Sequence, residues 1–216
     1  MKNYGYALFD LDGTLTDPGE GITNSVAYAL EKMNIPIPPR QELYKFIGPP
    51  LVDSFMQYFG LTPENAQKAV SFYREYFKDK GLFENVVFPG AKELLIKLKE
   101  QGVKTVIATS KPEVFAIRIL ERFELYSLFD VVCGADMEGK RSAKADVIAY
   151  ALDAAHIQTR ADAIMIGDRL HDVIGAKQNG LKSIGVTFGY GTREELIAAG
   201  ADYIADSFDG VYDIII

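Results

Sequence analysis

The stretch Tyr6-Ala7-Leu8-Phe9-Asp10-Leu11-Asp12-Gly13-Thr14 constrains this chain more than any other. A short apolar run that suits a buried strand stops at two carboxylates two residues apart, with Gly and Thr behind them. At the end of a strand the first carboxylate can face a ligand while the second sits just beyond it. One can then serve as nucleophile and the other as proton donor, with a hard cation such as Mg²⁺ offsetting their repulsion through oxygen ligands. A plain strand-to-loop exit uses the same residue types, because Asp and Gly are common in turns. The rest of the chain has to discriminate.

Residues 17 to 34 carry Ile22, Val26, Leu30 and Met33 at helical spacing. Pro36, Pro38 and Pro39 break that pattern, and Pro39 suits the first turn of a short helix with Leu43, Phe46 and Ile47. After Gly48-Pro49-Pro50, Leu51, Phe55 and Phe59 form a further stripe, and Thr62-Pro63-Glu64 opens a longer helix running to Gly81. Residues 16 to 86 therefore read as helices only, one inserted helical unit. From Phe88-Pro89-Gly90 onward helices and strands alternate: helix 91 to 101, strand 103 to 108, helix 112 to 123, strand 129 to 133, helix 143 to 155, strand 163 to 166, helix 171 to 179, strand 183 to 188. Thr192 with Glu195 reads as a capping box for a helix ending at Gly200, and Tyr203 to Ala205 as a last edge strand. This alternation predicts an α/β fold, a doubly wound parallel sheet with helices on both faces. The core is expected over 1–15 plus 87–216 and the helical unit over 16–86.

Composition narrows the function. With 216 residues, 48% of them hydrophobic and 25% charged, the chain can build an ordinary globular core. A formal charge of −7 with scattered Lys and Arg offers no basic face for a nucleic acid polymer, while a small anionic substrate stays compatible with a locally positive pocket. The single cysteine, Cys133, excludes an internal disulfide and reads as a small buried strand residue. No apolar run reaches the ~18 residues that a membrane span needs, and the N-terminal pattern is a strand rather than a signal segment, so a cytoplasmic protein is expected.

Sheets of this kind bind ligands beyond the carboxyl ends of their strands. Asp10 and Asp12 follow the first strand, Thr109-Ser110-Lys111 the second and Gly167-Asp168 with Asp172 the fourth, while Lys144 opens the helix after the third. Each set has a bland reading as cap, turn or solvated helix surface. Four of them on one sheet edge collect a metal site, hydroxyl and amide donors and an ammonium, which suits a phosphoryl group.

In order and spacing these motifs, with Gly167-Asp168-Arg169-Leu170-His171-Asp172 as the last, resemble the four motifs of the haloacid dehalogenase superfamily. The helical insertion is similar to the cap of its phosphoglycolate phosphatase-like and 5'-nucleotidase-like branch, and Phe46-Ile47-Gly48-Pro49-Pro50-Leu51 resembles that branch's cap loop. The branch often has Pro after the third-motif lysine where this chain has Ala145, so Lys140 and Lys111 rival Lys144. The resemblance implies a Rossmann-like core with a small all-α cap inserted after the first strand, and a Mg²⁺-dependent phosphatase acting on a small phosphorylated metabolite. It implies Asp10 as nucleophile and Asp12 as general acid and base. Mg²⁺ would be held by the Asp10 carboxylate, the Asp12 carbonyl and Asp168, with Asp172 in an outer shell. Thr109, Ser110, Lys111 and Lys144 would bind the phosphoryl oxygens.

A 5'-nucleotidase and a phosphomutase use the same groups, and a phospho-aspartate signalling module is the reading from another class. A monomer or weak dimer without membrane association is expected. Lys45, Arg74 and Tyr44 read as solvated surface of the helical unit, His171 as first-turn surface, His156 as a cation complementing a helix C-terminus. The Gly189-Tyr190-Gly191 loop reads equally well as a border of the site or as a simple turn.

Overall fold

A computed structural model describes residues 2–138 and 140–216. Its central strand, β1 (Tyr6–Phe9), lies between two parallel neighbours, so Ala7, Leu8 and Phe9 are all fully buried and the run is continuously apolar rather than alternating. The chain then passes through β2 (Thr16–Asp17), α1 (Gly19–Lys32), α2 (Arg40–Leu43), α3 (Leu51–Phe59), α4 (Pro63–Tyr76), a π-helical turn (Phe77–Gly81) and β3 (Val86–Val87). It continues as α5 (Ala91–Glu100), β4 (Lys104–Pro112), α6 (Glu113–Arg122), β5 (Val131–Ala135), α7 (Lys144–Ala154) and β6 (Ala163–Gly167). Last come α8 (Leu170–Gln178), β7 (Lys182–Val186), α9 (Arg193–Ala199), β8 (Tyr203–Ala205) and α10 (Phe208–Ile215).

Among the described residues six strands form one parallel sheet in the order β5-β4-β1-β6-β7-β8. Tyr6 pairs with Lys104 on one side and with Ala163 on the other. Leu8, Val106 and Met165 project into a core shared with Val147, Ile148 and Ala151 of α7 and Ala176 of α8. Helices α5 and α6 contact β4, and α10 packs on α5. The sheet is the doubly wound, Rossmann-like one that the alternation predicts.

The chain divides into two compact units, Met1–Thr16 with Val87–Ile216, and Asp17–Val86. The second unit is helical, apart from a residue of each of β2 and β3, which form a separate two-stranded sheet at the two crossings. Its core is Ile22, Val26 and Leu30 of α1 against Ala66, Val70 and Tyr73 of α4, with Phe46 packed on Phe55 at a centroid distance of 4.9 Å. Gly21 is needed there, because a Cβ at that position would overlap the Gly81 carbonyl oxygen. Tyr44 is exposed and Arg74 half-buried, while the Lys45 ammonium lies 4.3 Å over the Tyr58 ring.

Several elements depart from the sequence reading. The expectation of helices only across 16 to 86 is corrected by β2 and β3, two-residue strands too short to leave a periodic pattern. Strand β4 runs on to Pro112 instead of stopping at Ala108, and β5 starts two residues later than expected. Helix α10, unread in the sequence, is capped by Ser207, whose Oγ accepts the Gly210 N–H at 3.1 Å. Cys133 is buried in β5, and burial pushes its thiol up to about 12, as a structural cysteine requires.

Candidate active site

The ladder of β1 continues one residue past the strand, since the Asp10 N–H donates to the Ile166 carbonyl at 2.9 Å, and this fixes Asp10 at the sheet edge. The chain then turns sharply: the Gly13 N–H donates to the Thr16 carbonyl at 2.7 Å, with Gly13 at φ +81°. Glycine is required there for its backbone angle and for space, because a Cβ would strike the Asp168 carboxylate. Asp168 directly follows β6, and Asp172 sits in the first turn of α8, where its Oδ2 accepts the Arg169 N–H at 3.1 Å. Asp10, Asp168 and Asp172 are all buried, and each offers a carboxylate oxygen within 4.8 Å of the other two. Asp172, expected in an outer shell, thus lies within the carboxylate cluster itself.

Lys144, the first residue of α7, enters this cluster. Its Nζ lies 2.8 Å from Asp10 Oδ1 and 2.8 Å from Asp172 Oδ1, and donates to the Ala108 carbonyl at 3.2 Å. Both carboxylate contacts are buried ion pairs at hydrogen-bonding distance. Burial works against the lysine's charge, yet Asp10 and Asp172 hold its pKa above the usual lysine range. Lys140 is solvent-exposed and pairs with Glu138 at 2.7 Å, so of the rival lysines it is Lys144 that meets Asp10.

Three clustered carboxylates, two of them paired with one ammonium, leave a formal charge of −3 + 1 = −2 when all are ionised. Burial, with Asp172 and Asp10 adding repulsion, pushes the Asp168 carboxyl up to about 8. Burial also lifts Asp172 to about 6 in spite of Lys144. Buried oxygen donors that would carry two negative charges in excess when ionised fit a hard divalent cation, whose charge would offset that excess.

Asp12 has a separate surrounding. Its Oδ2 lies 2.8 Å from the Lys111 Nζ, with side-chain exposures of 13% and 5%, and its Oδ1 is buried with no hydrogen-bond partner. Burial raises the Asp12 carboxyl while Lys111 opposes the shift. Thr109, Ser110 and Lys111 stand inside β4, in a stretch where the register with β5 shifts between Thr109 and Pro112. The buried Thr109 Oγ1 accepts the Lys111 N–H at 3.2 Å, and Ser110 is half-buried.

The Gly189-Tyr190-Gly191 loop, ambiguous in the sequence, borders the cluster. The Tyr190 N–H donates to Asp168 Oδ2 at 2.8 Å, and Thr14 Oγ1 to Asp168 Oδ1 at 3.4 Å. A Cβ on Gly189 would collide with the Gly13 carbonyl and the Asp168 side chain, and one on Gly191 with the Asp168 carbonyl. The capping box expected at Thr192 is half formed: Thr192 Oγ1 accepts the Glu195 N–H at 3.1 Å, but the Glu195 carboxylate accepts instead from Arg169 Nε and the Leu170 N–H, both at 2.9 Å. His171 is exposed, with its pKa lowered by partial burial and by Arg169. His156 follows α7 at φ 54°, the left-handed position that ends a helix.

A parallel α/β sheet with clustered aspartates and a lysine on its carboxyl edge defines a class of enzymes that work on anionic groups. Residues 7–186 match the haloacid dehalogenase-like hydrolase family, and the chain belongs to that family. It is 46% identical over 195 residues to a 5'-nucleotidase of Pseudomonas aeruginosa, spanning 90% of this chain and 88% of that one. It is 39% identical over 188 residues to tyrosine-protein kinase PtkA of Mycobacterium tuberculosis, spanning 87% of this chain and 63% of that one. The crystal structure of a predicted phosphatase from Clostridium acetobutylicum is similar with a TM-score of 0.94 and 53% identity, covering 97% of each chain.

Proposed function

We propose that this protein is a Mg²⁺-dependent phosphomonoester hydrolase working through an aspartyl-phosphate on Asp10. The observation that carries this reading is the cluster of three buried carboxylates, two of them paired with one lysine, beside a separate Asp12–Lys111 pair. Asp10 and Asp12 are two residues apart yet answer to different cations, which suits division of labour between nucleophile and acid.

In this reading an Asp10 carboxylate oxygen attacks phosphorus in line, and the ester oxygen leaves with the proton of Asp12. Asp12, now ionised beside Lys111, takes a proton from a water molecule. That water attacks the phosphoryl-Asp10, breaking its P–O bond, and returns free Asp10, protonated Asp12 and inorganic phosphate. Lys144, the Thr109 hydroxyl and the Ser110 N–H hold the remaining phosphoryl oxygens, with Lys111 beside the leaving group. Asp10, Asp168 and the Asp12 carbonyl would hold Mg²⁺, and Asp172 supports them while paired with Lys144. The chemistry Mg²⁺ supplies when bound is neutralisation of charge on the transferring group.

Nucleoside monophosphates lead the candidate substrates, because the relative at 46% identity bears the 5'-nucleotidase name. Phosphoglycolate, pyrophosphate and sugar phosphates complete the panel. The helical unit is proposed as the cap that selects among leaving groups, and the protein as a cytoplasmic monomer or weak dimer. No helix among the described residues is long and apolar enough to cross a membrane. The test is phosphate release across this panel with Mg²⁺ and with chelator. Stoichiometric phosphate and dephosphorylated product, lost on chelation, is the expected result; isomerised product without phosphate, or transfer from ATP to a protein without hydrolysis, would overturn it.

A further inference from the structure

Asp168 is held from a distant part of the chain. Its Oδ2 accepts the Tyr190 N–H at 2.8 Å, and the next two residues are tied to the same distant segment: Arg169 Nε and the Leu170 N–H both donate to Glu195 Oε1 at 2.9 Å. Gly189 and Gly191 allow the intervening loop to lie directly on Asp168, where no larger residue fits. The Arg169 and Glu195 side chains are mostly shielded, so this pair is better protected from screening than a surface bridge. A glutamate at the third position of a helix ordinarily folds back on its own cap residue. Glu195 instead crosses to the start of α8, the helix that carries Asp172, so one carboxylate oxygen ties its own helix to the two residues between Asp168 and the first turn that holds Asp172.

We infer that Glu195 is a positioning residue for the divalent-cation site, holding Asp168 and Asp172 at the spacing that the cation needs through Arg169 and the Leu170 N–H. This rests on the metal site proposed above. The experiment is Mg²⁺ titration calorimetry on the full chain, without substrate, for the wild type, Glu195→Ala, Glu195→Gln and Asp168→Asn, with a thermal unfolding scan of each. Supporting groups around a metal typically contribute 10–100-fold in affinity, so Glu195→Ala is expected to raise the Mg²⁺ dissociation constant by at least ~10-fold. Glu195→Gln keeps an oxygen acceptor for both donors and is expected to recover most of that loss.

A lower melting temperature in Glu195→Ala with unchanged Mg²⁺ affinity would make Glu195 a stabiliser only and overturn the inference. Wild-type affinity in Asp168→Asn would overturn the metal site itself and this inference with it. Loss of binding in Asp168→Asn beside wild-type affinity in Glu195→Ala overturns the inference alone. If Glu195→Ala does not fold, Arg169→Met, which keeps the Leu170 tie, takes its place: several-fold weaker binding supports the inference and unchanged binding overturns it.

Discussion

Asp10 and Asp12 have the same side chain and nearly the same place in the chain, yet Asp10 pairs with Lys144 and Asp12 with Lys111. Replacing Asp10 by Asn keeps the shape and removes the proposed nucleophile, so phosphate release is expected to fall by more than ~10³-fold with the fold intact by circular dichroism. Lys144→Ala strips the cation from two buried carboxylates, and breaking a buried pair in this way costs about 3–5 kcal/mol. Urea unfolding of the metal-free protein should detect it; an unchanged midpoint would mean that Lys144 does not compensate these charges. The aspartates were legible in the sequence because each follows a strand whose end is read directly from its apolar run. Lys144 could not be separated from Lys140 and Lys111 by spacing, since the irregular segment between β5 and α7 hides which lysine turns inward. The distance of Asp172 from Asp10 was hidden for a similar reason, as helix spacing gives its face but not how near it comes to the other carboxylates.

At the level of elements, the site is made by turns that only glycine allows. Gly189→Ala would push a methyl group into Gly13 and Asp168, and overpacking of this kind costs about 1–3 kcal/mol. Thermal unfolding should register that loss, and Mg²⁺ binding should weaken with it; wild-type behaviour in both would show that the loop yields freely. Nothing local in Gly189-Tyr190-Gly191 announces its contact with Asp168, because the partner lies about twenty residues upstream and is met only after β7 pairs with β6. The same limit explains Glu195, whose spacing from Thr192 is that of a capping box while its carboxylate serves another helix. Helix α10 escaped notice because a short apolar run ending in three isoleucines suits strand and helix equally.

For the molecule as a whole, the carboxylate cluster links folding to pH. Burial pushes the Asp168 carboxyl of the folded protein from the ordinary 3.8 up to about 8, and that of Asp172 up to about 6. A carboxyl whose pKa is raised by folding stabilises the protein below its unfolded value and loses that contribution as pH rises through its folded one. The melting temperature of the unit carrying the sheet is therefore expected to fall between about pH 4 and pH 8 in chelator, and saturating Mg²⁺ to recover it by binding the folded state alone. A chelated protein that grows more stable over that range would contradict the uncompensated cluster. The parallel sheet and the helical insertion were legible at this scale because alternating strand and helix periods extend over more than half the chain. The crossings were legible to within a residue, at 15/16 and 86/87 against 16/17 and 86/87, but the two-residue strands there were not, since they carry no period of their own.

The central claim, that phosphoryl transfer passes through Asp10, is tested most directly by rapid acid quench of the protein with Mg²⁺ and a nucleoside monophosphate, followed by peptide mass spectrometry. A phosphoryl group found transiently on the peptide containing Asp10, decaying at the rate at which free phosphate appears and absent in Asp10→Asn, is the predicted result. Phosphate release at full rate from Asp10→Asn, or a label that stays on Asp10 without turnover, would contradict it.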